Sequence, residues 1–358
     1  MALVRIYLIT FHRAHLLPRA IESIQRQTFT GWLCEVQNGD PADDAPGRIV
    51  AGLKDPRFSL FSPPAKIGPV EAFNLAHKTA AEPFQTLLED DNWWEPNFLE
   101  EMLSVLARHP EAELAWSNMR MWREEADGGW TDTKRLVWNL RPEDGDRVYS
   151  WPQLIQISDM IYSNGSALLR SGSARSLIMP DSISRDMIEQ ARERLMNFPI
   201  VLAAAPLANF AVTRSTMRSS DFSGWGEAQA LLAASFIAQV PMSKAAQEKL
   251  WHSRRSMVPR STSSLIYGAL LARSWSFLGN MTLGDFVGFV AGALKRPSVA
   301  FQILRAKSRR RETWDWLCEA TRRCMITARK RGFEIVTEDS LLDKQAPGAC
   351  GSVRGATS

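Results

Sequence analysis

Cysteine, histidine and tyrosine are all scarce: the 358 residues hold 4 Cys, 5 His and 4 Tyr. Cys34, Cys318, Cys324 and Cys350 fit neither a disulfide framework nor a zinc site, and Cys318 and Cys324 are not spaced to share a helix face. That usage suits a reducing compartment, so the cytoplasm is the expected location. His12 and His15 have no partner at ligand spacing, which sets aside a histidine-based metal site. A strong excess of one charge is also missing. The net charge of +4 does not imply nucleic acid, and no recognition motif accompanies the basic clusters, so none is expected as a partner. Long apolar runs are lacking too. Met1–Thr10 is short and interrupted by Arg5, so it reads as a first strand and not a leader. The most apolar window, about Trp275–Leu294, contains Asn280, Asp285 and several glycines. It reads as a buried or interfacial helix rather than a membrane span.

What is present is an ordinary globular composition, 45% apolar, long enough for one large domain with an appendage or for two domains. The first third alternates strand and helix patterns. Val4–Thr10, Trp32–Val36, Phe58–Phe61, Phe84–Leu88 and Glu113–Met121 read as strands. Leu16–Gln27, Asp43–Leu53, Val70–Ala81 and Asn97–Arg108 read as helices, with Pro18 in a first turn and His109-Pro110 as a stop. This predicts an α/β fold with a mostly parallel sheet flanked by helices. Farther on, Glu124–Asp146 reads as a hairpin or loop. Ile161–Arg170, Ile200–Ala205 and Phe210–Thr213 read as strands, and Asp181–Met196 as a helix carrying Asp186, Glu189 and Arg192. From about Ser219 the pattern is helical, and the tail from Leu342 is small, polar and expected to be disordered.

The strongest local signal is Glu89-Asp90-Asp91-Asn92, which closes the apolar run Phe84–Leu88. Adjacent carboxylates at a strand end repel each other. A divalent cation shared with a diphosphate relieves that repulsion, as Mg²⁺ and Mn²⁺ take carboxylate and phosphate oxygens; a solvated turn is the bland alternative. Ligands of parallel sheets bind at the carboxyl ends of strands. Thr10, Asn38 and the Asp90-Asp91 pair all fall at such ends.

Over residues 4–121 these features resemble family 2 glycosyltransferases of the GT-A (Rossmann-like) fold. The resemblance rests on the turn Thr10-Phe11-His12-Arg13, the helix ending Gln27-Thr28, and Gln37-Asn38-Gly39-Asp40 after the second strand. It continues with Asp55-Pro56-Arg57, with Gly68 and Asn74, with the acidic tetrad followed by Trp94, Pro96 and Leu99, and with His109-Pro110-Glu111. It is weaker over 161–214 and absent after about 220. It implies a catalytic domain over 1–218 and a helical extension over 219–341, ahead of the tail at 342–358. It also implies a metal-dependent inverting transfer from a nucleotide-diphospho-sugar, a UDP-sugar in the first instance, to a glycan or lipid-linked saccharide. Thr10 and Asn38 would lie against the base, Asn74 at the nucleotide-sugar, Asp90 at the ribose, and Asp91 on Mn²⁺ or Mg²⁺. Asn38 stands where the family usually has an acid, and Phe73 replaces the usual arginine. The base would be Asp186, with Glu189 and Asp181 as rivals and a helix-start acid facing the dipole as the alternative.

Other residues stay open at this level. Trp93 and Trp94 either stack on a sugar or pack beneath the loop. Arg13 reads as a solvated arginine ahead of a phosphate contact, and Ser163-Asn164-Gly165-Ser166 as acceptor lining or a turn. Arg309–Arg311 and Arg329–Arg331, near Trp314, Trp316 and Phe333, suit either a peripheral membrane contact or a solvated helix face. The missing glycines in Ile9–Arg13 disfavour a nucleotidyltransferase. The changes at Gln37, Asn38 and Phe73 keep a catalytically degenerate nucleotide- or sugar-binding protein as the alternative.

Overall fold

The computed structural model describes residues 3–78, 80–149, 161, 163–214, 222–257 and 261–332. The expected disordered tail and Cys350 lie outside them.

Among the described residues ten strands form one sheet: β1 Val4–Thr10, β2 Trp32–Asn38, β3 Phe58–Phe61, β4 Phe84–Glu89, β5 Trp93–Trp94, β6 Leu114–Glu124, β7 Trp130–Leu136, β8 Arg147–Tyr149, β9 Ala167–Arg170 and β10 Ile200–Val212. Their order is β3-β2-β1-β4-β9-β6-β10-β5, with β7 on β6 and β8 on β10. The β3-β2-β1-β4 half is parallel throughout, as the alternation predicts. The other half is mixed, because β9 inserts antiparallel between β4 and β6. Helices α1 Leu17–Gln25, α2 Ala45–Leu53, α3 Pro69–Leu75 and α4 Phe98–Arg108 connect the first strands. Val4, Ile6 and Leu8 of β1 are fully buried, since helices cover both faces of a parallel sheet.

Several predicted elements differ in extent, each for a tertiary reason. The helix expected over Val70–Ala81 stops at Leu75. There Gln85 takes over, donating to the carbonyls of Ala76 and Lys78 and accepting from the Ala80 N–H. The helix expected over Asp181–Met196 is a 3-10 turn, Arg185–Met187, and a short α5, Ile188–Glu193. Its leading segment is tied down instead: Asn74 grips the Met179 backbone, and Thr313 donates to the Ser182 carbonyl at 2.6 Å. Ile200–Ala205 and Phe210–Thr213 are one strand, whose register slips around Pro206, a residue that cannot donate to the ladder. Among the described residues of Ile161–Arg170 only Ala167–Arg170 is strand.

The helix expected over Leu16–Gln27 ends at Gln25, and Gln27, the first residue of the Gln-Thr pair beyond it, is a buried stitch. Its Nε2 donates to the Ser23 and Glu95 carbonyls, and its Oε1 accepts the Leu99 N–H. Thr28 N–H adds a bond to the Pro96 carbonyl. These contacts clamp the segment that follows the acidic tetrad onto α1. Gln27→Ala strands the Leu99 amide in the core and is expected to cost about 3 kcal/mol. Urea unfolding measures this, and a loss below about 1 kcal/mol would mean that water replaces the amide.

Among the described residues eight further helices follow: α6 Phe222–Gln239, α7 Lys244–Met257, α8 Ser261–Ala272, α9 Trp275–Leu278, α10 Leu283–Lys295, α11 Pro297–Leu304, α12 Ala306–Arg309 and α13 Arg311–Lys330. They are fastened to the sheet unit. Cys324 of α13 lies in the same core as β6 and β10, and Arg331 donates to the Asn197 carbonyl at 2.7 Å. Burial pushes the Cys324 thiol up to about 12. The expected free basic cluster at Arg309–Arg311 is largely committed to internal pairing. Arg309 Nη1 and Arg310 Nε each donate at 2.7 Å to the fully buried Glu227 carboxylate. A buried carboxylate needs such compensation. Trp314, expected beside that cluster at a surface, is buried.

Candidate active site at the strand ends

The carboxyl ends of β1, β2 and β4 meet in space. Thr10 and Asn38 are register partners, and the Asp90 N–H donates to the Ile9 carbonyl. Thr10 Oγ1 donates to Asp90 Oδ2 at 2.8 Å, so the first strand end holds the second acid of the tetrad directly. Gly39 fits there because a Cβ would come within 3.1 Å of the Phe11 ring.

All four tetrad side chains are engaged. Glu89 accepts from Asn92 Nδ2 at 3.1 Å, beside Ser163, and its Oε2 would lie 2.4 Å from a Cβ on Gly165. Burial, aided by the Asp91 charge, raises Glu89 to about 8, so at neutral pH it holds a proton. Asp90 is fully buried. Burial raises it to about 7 against the pull of Arg13, with the Asp91 charge adding to the rise. Asn92 passes the tetrad on to β10, accepting the Ala211 N–H at 3.0 Å.

Arg13 answers the repulsion between the paired acids. Its Nη2 lies 2.5 Å from Asp90 Oδ1 and its Nη1 2.5 Å from Asp91 Oδ2. Burial works against the guanidinium charge, but Asp90 and Asp91 outweigh it and raise the pKa. The expected solvated arginine is therefore a buried-side bridge. The backbone allows this because His12 adopts a left-handed φ of 53°, which folds the turn back onto the tetrad. His12 Nε2 lies 3.0 Å from Asp40 Oδ2, fixing the first loop to the second. The signal for Arg13 was its place in the Thr10-Phe11-His12-Arg13 turn; its carboxylate partners, far along the chain, were invisible.

Arg19 closes one flank. It donates to the Asp91 carbonyl at 2.7 Å and lies 3.9 Å from the Trp93 ring centre and 3.8 Å from that of Trp130. Burial lowers it to about 10. Trp93 also meets Trp122, and Trp94 is buried, stacked on Phe98, with its Nε1 on the Gly165 carbonyl. Both tryptophans therefore pack beneath the loop rather than presenting a face for a sugar.

The two asparagines serve the scaffold. Asn38 donates to the Asp43 carbonyl at 2.7 Å and accepts the Asp40 N–H at 3.2 Å. Both ends of the amide are thereby engaged within the loop, although its oxygen keeps a second lone pair. Asn74, expected at the nucleotide-sugar, spends both ends of its amide on the Met179 backbone.

Asp186 lies half-buried on the 3-10 turn, one helical step before Glu189. Glu189 is the acid on this segment whose charge acts on both Glu89 and Arg192. Arg192 is buried, donates to Asn164 Oδ1 at 3.1 Å and lies 5.6 Å over the Phe73 ring. A basic group thus reaches Phe73 from α5, where the sequence pattern had one missing. The segment as a whole is anchored next to the tetrad.

A family model, glycosyl transferase family 2, matches residues 6–163. The putative colanic acid biosynthesis glycosyl transferase WcaA of Escherichia coli K12 is 30% identical over 110 residues, 30% of this chain and 38% of that protein. The Escherichia coli UDP-Glc:alpha-D-GlcNAc-diphosphoundecaprenol beta-1,3-glucosyltransferase WfgD is 27% identical over 107 residues, 30% of this chain and 42% of that protein. The matches thus span about two fifths of each relative's length. Among solved structures, Staphylococcus aureus TarS 1–349 in complex with UDP covers 98% of both chains with a TM-score of 0.54 at 12% identity, a likeness of fold alone.

Proposed function

We propose that the chain, whose residues 6–163 match the glycosyl transferase family 2 model, is an inverting glycosyltransferase of that family that uses a nucleotide-diphospho-sugar. The observation that carries this reading is the convergence of Thr10, Asp90 and Asp91 at parallel strand ends, with a cation, Arg13, already drawn onto the acids. The donor is a UDP-sugar and the acceptor a saccharide or lipid-linked saccharide, as the name of WfgD describes for that protein. Residues 1–218 form the catalytic unit and 219–341 the helical extension.

Asp90, buried against Thr10 and paired with Arg13, reaches the ribose once Arg13 gives way. Asn38 and Asn74 position the loops rather than supply the main ligand contacts. Asp186, free of the α5 packing that holds its neighbours, takes the acceptor hydroxyl proton as the anomeric carbon is attacked. Glu189 is the second candidate for that role, favoured by its electrostatic reach to Glu89.

The residues fit Mn²⁺ or Mg²⁺ in one arrangement. Among the described residues no group of three His, Cys, Asp or Glu converges. Asp91 has 18% of its side chain exposed, and Glu89, also half-buried, is engaged by Asn92, so a diphosphate and water must complete the shell. Arg13 must yield its hold on Asp91. When bound, the ion would neutralise charge building on the departing diphosphate.

Calorimetric titration with UDP, GDP and dTDP, each with and without Mn²⁺, tests the reading. Manganese-dependent binding of UDP is expected, with at least a tenfold loss in Asp91→Ala. No binding of any nucleotide would support a catalytically degenerate protein, the reading that the committed Asn38 amide favours.

A further inference from the structure

Helix α10 is apolar along most of its 13 residues, yet none of them is buried. Leu283 is 79% exposed and Leu294 74%, and Phe286 and Val287 are exposed between them. The spacing of Leu283, Phe286, Val287 and Leu294 puts them on one helix face. On α11, Phe301 is 63% exposed and Leu304 is exposed one turn later, while Ala300 and Ile303 face inward. A contiguous apolar face of this kind on a folded chain marks a contact site.

Charge identifies the partner. Between Arg273 and Arg311 the only acid is Asp285. Asp285 is spent on the α10 N-cap with Thr282 and on the Trp251 indole at 3.1 Å. Lys295, Arg296, Arg305 and Lys307 are exposed at the ends of the apolar helices. At about 1.5 Å per residue α10 is roughly 20 Å long, and no described helix is long and apolar enough to cross a membrane. An apolar helix face with a basic rim and too short a reach to span lies in the plane of an anionic bilayer.

We propose that α10 and α11 form a docking face for an anionic lipid surface. This moves the membrane contact away from Arg309 and Arg310, which neutralise Glu227. Met187 and Ile188, beside Asp186, share one packed cluster with Ala300 and Ile303 of α11. The buried side of α11 thus packs into the same core as the element carrying the candidate base. The proposal deepens the transferase reading by stating where a lipid-linked acceptor is met, but its observations stand without that reading. Two copies pairing through this face would bring like charges together, which disfavours a dimer.

Flotation of the full-length protein with vesicles of equal phosphatidylglycerol and phosphatidylcholine tests it, with phosphatidylcholine vesicles as control. Binding to the anionic vesicles only is expected, weakened by salt. The double variants F286D/L294D and K295E/R296E should each lower the partition at least tenfold with unchanged thermal melting. No anionic vesicle binding by the unmodified chain, or unchanged binding by both variants, would overturn the proposal. So would a dimer in light scattering that F286D/L294D makes monomeric, which would assign the face to a second copy; the glycines at 284, 288 and 292 have a helix-pairing spacing. Because vesicle binding is read without nucleotide, a failed sugar transfer leaves this result intact.

Discussion

Asp186→Asn is expected to lower the turnover number by about 10²–10⁴-fold, the range that a positioned general base contributes. Nucleotide affinity should stay within a factor of two or so, because Asp186 lies on a different element from Thr10, Asp90 and Asp91. Asparagine keeps the shape and removes only the capacity to take a proton. The comparison with Glu189→Gln decides between the two acids. Glu189 lies in the field of Glu89 and Arg192, so its loss should change packing and melting temperature more than turnover. Single-turnover transfer with saturating donor is the measurement. Full activity in the Asp186 variant, together with its loss in the Glu189 variant, would transfer the base role to Glu189.

Arg13→Ala should destabilise the chain by about 3 kcal/mol, near the lower end of the cost of removing one partner of a buried ion pair. Asp90 can take up a proton, and this limits the loss. Without nucleotide, Mn²⁺ should raise the melting temperature of the variant more than that of the unmodified chain. In the unmodified chain Arg13 competes for the same carboxylates; in the variant the cation meets them unpaired. A variant as stable as the parent, with no larger response to Mn²⁺, would show that Arg13 is incidental to the pair. Sugar transfer should also fall, since the turn through His12 and Arg13 shapes the donor end of β1.

The chemistry-bearing ends of the first strands were readable in one dimension because each apolar run stops at a polar residue. Val4–Thr10 and Phe58–Phe61 match the observed strands residue for residue. The acidic tetrad was conspicuous for the same reason. What those residues touch was not readable. The partners of Arg13 lie 77 and 78 positions away, and those of Asn74 lie 105 away. Trp93 was open between a sugar platform and packing beneath the loop; Arg19, Trp122 and Trp130, packed around it, decide for the second.

The sequence by itself determined the strand–helix alternation, the placement of Thr10, Asn38, Asp90 and Asp91 at strand ends, and the helical character of the last third. These follow from hydrophobic period and from polar stops, which act over a few residues. Only the tertiary structure decided that β9 runs antiparallel through the middle of the sheet. It also decided that Asn38 and Asn74 serve the backbone, that Arg309 and Arg310 answer Glu227, and that α10 is left bare. Each of these depends on which distant group arrives to satisfy a buried charge, an amide or an apolar face, and hydrophobic period carries no record of that.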